Sequence, residues 1–182
     1  MQDKLKRTGQ VFWLFGLSGS GKTSLSGGGA EQIRTRGRTV LLLDGDVLRR
    51  GVCRDLGFSE DDRRENVRRT AEFARIASDS GVIVIVALIT PLESMRDLAR
   101  KIVGTERFSG IFVDAPIDEC RKRDVKGLYA RAESGEISNF TGLTSSFERP
   151  VSSDLVIETG AEPLEASIGR FTEYIVHRLE SV

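Results

Sequence analysis

Cysteine is scarce in this chain: Cys53 and Cys120 are the only two, far apart and without a CxxC or histidine partner pattern. That spacing excludes zinc binding and dithiol redox chemistry, and leaves two buried free thiols as the expectation. Long apolar runs are also missing. The longest covers residues 82–89, and residues 1–10 are polar and mixed in charge, so neither a membrane span nor a signal peptide is expected and a cytoplasmic location is. Charge of one sign is lacking too, with 27 basic and 27 acidic side chains. Without a basic excess, the phosphate-backbone attraction behind sequence-independent nucleic-acid binding is absent, and nucleic acid is not an expected partner. Internal repeats, low-complexity tracts and linkers are absent, as is the Asn-Lys-x-Asp motif that reads guanine, which argues against a GTPase switch.

What is present is 182 residues with 39% hydrophobic content, enough for one compact α/β domain spanning 1–182. Short apolar runs at 11–15, 40–43, 82–89, 111–113 and 155–157 predict five strands, and the best three lack period-2 alternation, as strands buried on both faces do. Helical spacing of apolar residues covers 22–36, 60–80, 93–102, 117–133 and 163–180. Strand and helix alternate, which predicts a five-stranded parallel sheet with helices on both faces. Gly37 and Gly81 stand where left-handed caps would end the first two helices. Residues 134–154, rich in Ser, Gly and Thr, are expected to form a mobile surface segment. Gly27, Gly28 and Gly29 contradict the first helix, each costing about 1 kcal/mol relative to alanine. They either permit close packing of that helix on the sheet or loosen it.

The run Gly16-Leu-Ser-Gly-Ser-Gly-Lys-Thr23 fits the phosphate-binding pattern G-x-x-x-x-G-K-[ST] and stands between a strand and a helix, as that pattern requires. Gly16, Gly19 and Gly21 let backbone N–H groups turn toward a phosphate, and the following helix presents its positive dipole end to the same anion. Lys22 is placed to reach the β- and γ-phosphates of ATP, and the Thr23 hydroxyl to ligate Mg²⁺. The candidate nucleotide-binding set is Gly16, Ser18, Gly19, Ser20, Gly21, Lys22, Thr23 and Ser24. Asp44 and Asp46 follow the second strand at its carboxyl end, where doubly wound sheets hold ligands, and two such carboxylates can hold a metal's water shell and orient an attacking hydroxyl.

Arginines 49, 50, 54, 63, 64, 68, 69 and 75 are interleaved with acids, so most belong to a solvated, ion-paired helix face. A subset is expected to bind an anionic substrate, because guanidinium forks match phosphate and sulfate. The basic stretch 119–131 leading into the Ser/Gly/Thr-rich segment has the composition of a lid, about 119–149, that excludes water from phosphoryl transfer.

In order along the chain, Gly-Leu-Ser-Gly-Ser-Gly-Lys-Thr at 16–23, Leu-Asp-Gly-Asp-Val-Leu-Arg at 43–49, Leu-Gly-Phe-Ser at 56–59, Asp62-Arg63 and Glu65-Asn66 are followed by Ile89-Thr-Pro91, Arg-Asp-Val-Lys-Gly-Leu-Tyr at 123–129 and Ser-Gly-Glu-Ile-Ser-Asn-Phe-Thr-Gly at 134–142. This series resembles adenylylsulfate kinase over nearly the whole chain. The resemblance implies a P-loop nucleotide kinase fold with a lid, and a reaction in which MgATP phosphorylates the 3′-hydroxyl of adenosine 5′-phosphosulfate during sulfate assimilation. It further implies that Arg49, Arg63 and Asn66 contact the phosphosulfate, that Phe58 and Phe140 sandwich its adenine, and that Ile89 and Thr90 line the substrate. By the same resemblance Asp44 is the base or metal-shell carboxylate, Asp46 positions substrate and Lys126 belongs to the lid. A homodimer, and a functional link to a sulfurylase, are likewise implied. The chain departs from the family pattern at Val47 (usually Asn), Thr90 (Ser), Val125 (Pro), Leu143-Thr144 (Ile-Asp) and Phe147 (Tyr). The carboxylate lost at Thr144 bears most on the substrate, through the segment's hydrogen bonding or its contacts. Two other readings fit the residues: a kinase of another anionic nucleotide or metabolite, and an ATP-binding regulatory relative without turnover.

Overall fold

The computed structural model describes residues 9–181. Five parallel strands, β1 (Val11–Phe15), β2 (Val40–Asp44), β3 (Ile83–Ala87), β4 (Phe108–Asp114) and β5 (Leu155–Glu158), form one sheet in the order β2-β3-β1-β4-β5. β1 lies at its centre, with Leu14 opposite Ala87 on one side and Ile111 on the other. All five residues of β1 and of β3 are buried, which is why their sequences show no alternation.

The two faces of the sheet are separately filled. Val11, Trp13 and Phe15 join Val84, Val86 and Phe112 beneath α3 (Glu60–Asp79) and α4 (Glu93–Val103). Phe12 and Leu14 join Ile83, Ile85, Ile111 and Val113 beneath α1 (Lys22–Thr35) and α7 (Leu164–Glu180). Gly37 and Gly81 carry the expected positive φ of 75° and 82° and return their N–H groups to Arg34 and Ser78.

The triple glycine packs α1 closely, against α7 and not against the sheet. A Cβ on Gly28 would stand 2.3 Å from Ile168 Cδ1, and one on Gly29 2.6 Å from Phe171 Cδ1, whereas Gly27 faces open space. Two helices absent from or merged in the sequence reading also appear. α2 (Gly45–Arg50) begins directly at the end of β2, with the Asp44 carboxylate capping the Asp46 N–H at 2.9 Å. The expected helix 117–133 is two, α5 (Ile117–Arg123) and α6 (Leu128–Glu133). The break has a local cause: the Asp124 carboxylate accepts from the N–H groups of Tyr129 (3.0 Å) and Ala130 (3.1 Å), and Gly127 precedes α6 at φ 64°. Residues 134–154 contain no helix or strand, as expected of a loop segment, yet Phe140 and Thr141 within it are buried.

Candidate functional site

The P-loop leaves the C-terminal end of β1, whose connection runs outward to β2 while that of β3 crosses back past β1 to β4, the reversal at which such sheets hold ligands. Gly16 and Gly19 are required there. A Cβ on Gly16 (φ 148°) would lie 2.4 Å from the Val113 carbonyl oxygen, and one on Gly19 (φ 75°) 2.8 Å from that of Cys120. Side chains from three other segments hold the loop's carbonyls. Tyr129 Oη donates to Ser18 O at 2.9 Å, Thr159 Oγ1 to Ser20 O at 2.6 Å, and Arg123 Nη1 to Gly19 O at 3.4 Å. Cys120, a buried free thiol like Cys53, lies under the loop, and burial raises its pKa.

Lys22 begins α1 and is buried, its Nζ donating to Leu17 O (2.6 Å), Gly16 O (2.9 Å) and Ser20 Oγ (3.4 Å). Burial pushes its ammonium down to about 8, against the opposing influence of the nearby Asp44 and Asp46 carboxylates. The next residue, Thr23, donates from Oγ1 to Asp44 Oδ2 at 2.8 Å. Two hard oxygen donors are thus adjacent at the mouth of the loop. Among the described residues no group of three or more His, Cys, Asp or Glu could hold a metal ion, so a divalent cation at Thr23 and Asp44 would complete its shell with phosphate and water oxygens.

A cavity of about 880 Å³ extends from the loop between α3 and the segment 123–141. Ser18, Gly19, Gly21, Lys22, Thr23 and Ser24 line one part of it, with Asp44 and Asp46 beside them. Arg49, Phe58, Arg63, Asn66, Ile89, Thr90, Lys126 and Phe140 line the rest. Of the sequence-derived candidates only Gly16 and Ser20 are not in the cavity wall; Ser20 is fully buried behind it. Thr159, Tyr129, Arg123 and Thr141 line the cavity and were not foreseen; the first three act through contacts distant in sequence.

The structure also sorts the arginines. Arg68 and Arg69 pair with Glu65, Arg69 also with Asp55, and Arg75 with Glu72 and Asp79, forming the solvated face. Arg49 and Arg63 instead turn toward the cavity and spend their hydrogen bonds on carbonyls. Arg49 Nη1 donates to Leu56 O (3.2 Å) and Gly57 O (2.7 Å); Arg63 donates from Nε to Phe58 O (3.1 Å) and from Nη2 to Asn139 O (2.7 Å). Burial lowers the pKa of both, and a guanidinium stays charged regardless. Cations partly withdrawn from water with only carbonyls as partners form a site that favours an anion.

Arg63 thereby ties together the segments bearing the two aromatic rings. Phe58 is half exposed beneath Arg49, whose guanidinium carbon is 4.4 Å from the ring centroid, and Phe140 is buried edge-on against Tyr129 at 4.8 Å. Thr144, where the resemblance implies a carboxylate, accepts the Phe140 N–H on Oγ1 at 2.9 Å. Its hydroxyl therefore keeps the turn that carries Phe140. Lys126 reaches across the cavity mouth to pair with Asp46.

Two further features concentrate here. Asn66 Nδ2 and Thr141 Oγ1 are buried in the wall without a hydrogen-bond partner, a state that a polar ligand relieves. Two non-glycine residues stand in the left-handed region among those described, Thr90 (φ 41°) and Asn139 (φ 57°), and both line the cavity. For a β-branched residue such as Thr90 that conformation costs about 1–3 kcal/mol, and it persists only where surroundings impose it.

Known proteins resemble this chain over most of its length. The family model for adenylylsulphate kinase matches residues 8–158. An adenylyl-sulfate kinase of Bacteroides fragilis is 45% identical over 181 residues, covering 98% of this chain and 90% of its own. One from Pseudomonas aeruginosa is 45% identical over 165 residues, covering 91% and 84%. Among solved structures, the APS kinase CysC of Mycobacterium tuberculosis in complex with AMPPNP and APS superposes with a TM-score of 0.89 at 38% identity, over 94% of this chain and 99% of its own. With the P-loop, the paired aspartates and the arginine-lined cavity in one crevice, this chain belongs to the adenylylsulphate kinase family.

Proposed function

We propose that this protein transfers the γ-phosphoryl group of ATP to the 3′-hydroxyl of adenosine 5′-phosphosulfate, giving 3′-phosphoadenylyl sulfate. One observation carries the reading. A single cavity of about 880 Å³ joins a P-loop to a wall bearing two carboxylate-free arginine contacts, an orphaned amide and two aromatic rings. A kinase needs the first, and an acceptor with both an anionic group and a base needs the second.

The donor's phosphates fit the P-loop, whose Gly19, Gly21 and Lys22 line the cavity at the start of α1. Lys22 needs only to exchange its carbonyl partners for phosphate oxygens. The acceptor's phosphosulfate fits Arg49, Arg63 and Asn66, and its adenine fits between Phe58 and Phe140, with stacking of about 1–3 kcal/mol per base. Mg²⁺, when bound to Thr23 Oγ1 and the Asp44 carboxylate, supplies neutralisation of phosphate charge. Asp44 takes one of two roles in this scheme, holding the metal's shell or accepting the proton of the attacking hydroxyl, and Asp46, paired with Lys126, joins the lid to that corner of the cavity. Catalysis in this scheme comes from positioning and charge stabilisation, with no covalent enzyme intermediate.

The test is direct. Purified protein with MgATP and adenylylsulfate is expected to release ADP and form the 3′-phosphorylated product, resolved by ion-exchange chromatography. Asp44→Asn is expected to lower kcat by about 10²–10⁴-fold. Absence of product from the parent protein, alongside turnover with a different anionic nucleotide, would assign another acceptor.

A further inference from the structure

Arg96 does not line the cavity, yet its donors are spent on segments that do or that adjoin them. It is carried by α4 and only 5% exposed. Nη1 donates to the Thr90 carbonyl at 3.1 Å and approaches that of Pro91 at 3.4 Å. Nη2 donates to the Glu148 carbonyl at 2.9 Å, and Nε and Nη2 both meet Glu93 Oε2, at 3.0 and 2.8 Å. The guanidinium lies over the rings of Phe15, at 5.0 Å, and Phe147, at 5.9 Å.

Glu148 closes the arrangement. Its carboxylate accepts the Glu93 N–H at 2.7 Å, and its own N–H donates to Pro91 O at 2.9 Å. One planar group therefore fastens the loop 89–91 to the trailing end of the segment 119–149. Thr90 is the residue that needs such fastening, being buried, β-branched and in a left-handed conformation. Its second fastener is the indole of Trp13, whose Nε1 donates to Thr90 Oγ1 at 2.9 Å.

We infer that Arg96 is a positioning residue for the acceptor. From outside the cavity it sets the shape of the wall formed by Ile89, Thr90 and Pro91 and anchors the end of the lid, without contacting donor or acceptor. The inference rests on the reading of that wall as part of the adenylylsulfate site. Lysine cannot replace Arg96, because one ammonium cannot direct donors along a plane to three divergent partners.

The experiment measures both KM values and kcat for Arg96→Lys, together with the emission of Trp13, the only tryptophan in the chain. The expected result is a rise of about tenfold or more in the KM for adenylylsulfate, with the KM for MgATP changed less than about twofold. Trp13 emission is expected to shift to the red in the free protein as the loop loosens. Equal rises in both KM values, or unchanged emission with an unchanged acceptor KM, would overturn the inference. Where Arg96→Lys fails to fold, Glu93→Ala carries the test, since it removes the carboxylate that accepts from Arg96 Nε and Nη2 and leaves the main-chain acceptors in place. It is expected to raise the acceptor KM about threefold, and an unchanged value counts against the inference. Should the parent protein not turn over adenylylsulfate at all, the acceptor assignment fails separately, and Trp13 emission alone decides whether Arg96 holds the loop.

Discussion

Alanine placed in turn at Gly27, Gly28 and Gly29 separates helix propensity from packing, because the three positions share α1 and differ in what a methyl group meets. In a helix interior, glycine to alanine favours the folded state by about 1 kcal/mol. At Gly27 nothing lies within 4 Å of the added Cβ, so the full gain is expected, about 2–4 °C in Tm for a chain of this size. At Gly29 the Cβ would lie 2.6 Å from Cδ1 and 2.8 Å from Cε1 of Phe171. That ring is fully buried and packed edge-on against Phe12 at 6.3 Å, so it has nowhere to swing. Overpacking of this kind costs about 1–3 kcal/mol, leaving a net loss of up to about 2 kcal/mol and a lowered Tm. At Gly28 the clash is with Ile168 Cδ1 at 2.3 Å, the end of a partly buried side chain that can turn aside. There the two effects roughly cancel. Thermal unfolding followed by circular dichroism, without nucleotide and at one protein concentration, should rank Gly27→Ala above the parent, Gly28→Ala near it and Gly29→Ala below. Equal Tm gains at Gly27 and Gly29 would refute the view that the glycines exist to bring α1 onto α7.

Nucleotide binding should depend on pH through Lys22. Burial holds its pKa near 8 in the free protein, whereas bound phosphate favours the charged form and raises it, so binding takes up a proton. Affinity for a non-hydrolysable ATP analogue is then level below pH 8 and falls about tenfold per pH unit above it. Calorimetric titration in buffers of different ionisation enthalpy should detect that proton at alkaline pH; an affinity constant throughout the range would contradict it. At Thr144, valine keeps the shape and removes the acceptor for the Phe140 N–H, at a cost of about 1–3 kcal/mol in the turn. Thr144→Val should raise the KM for adenylylsulfate severalfold while Thr144→Asp preserves it, and identical values for both variants would remove Thr144 from any role in placing Phe140.

Local chemistry made the strands, the P-loop and the grouping of Asp44 with Thr23 legible in the sequence. A fully apolar pentad such as Val-Phe-Trp-Leu-Phe has few homes other than a central strand. The arginines were legible only as a class. Arg49, Arg63, Arg68 and Arg69 occur in similar acidic surroundings, and which two face the cavity depends on helix phase and on Asn139, 76 residues from Arg63. The break between α5 and α6 was written in Asp124 and Gly127, but the helical spacing of 117–133 continues across it. The triple glycine was visible as an anomaly, while its cause, the side chains of Ile168 and Phe171, lies on the last helix.

The P-loop shows why a short motif needs residues outside itself. A peptide plane fixes its C=O and the following N–H in opposite directions, so a partner for one orients the other. In this loop the carbonyls of Gly16 and Leu17 accept from Lys22, that of Ser18 from Tyr129, that of Gly19 from Arg123 and that of Ser20 from Thr159. The three carbonyls held by Tyr129, Arg123 and Thr159 keep those partners when Lys22 turns to a phosphate, so the N–H groups of Gly19 and Gly21 are oriented before any phosphate arrives, while that of Ser20 donates to Leu17 O within the loop. Three of the four donors come from segments more than a hundred residues away. The glycines of the motif permit the loop's shape; Tyr129, Arg123 and Thr159 select it. A loop with the same eight residues but without those donors would keep its flexibility and lose its preorganisation for an anion.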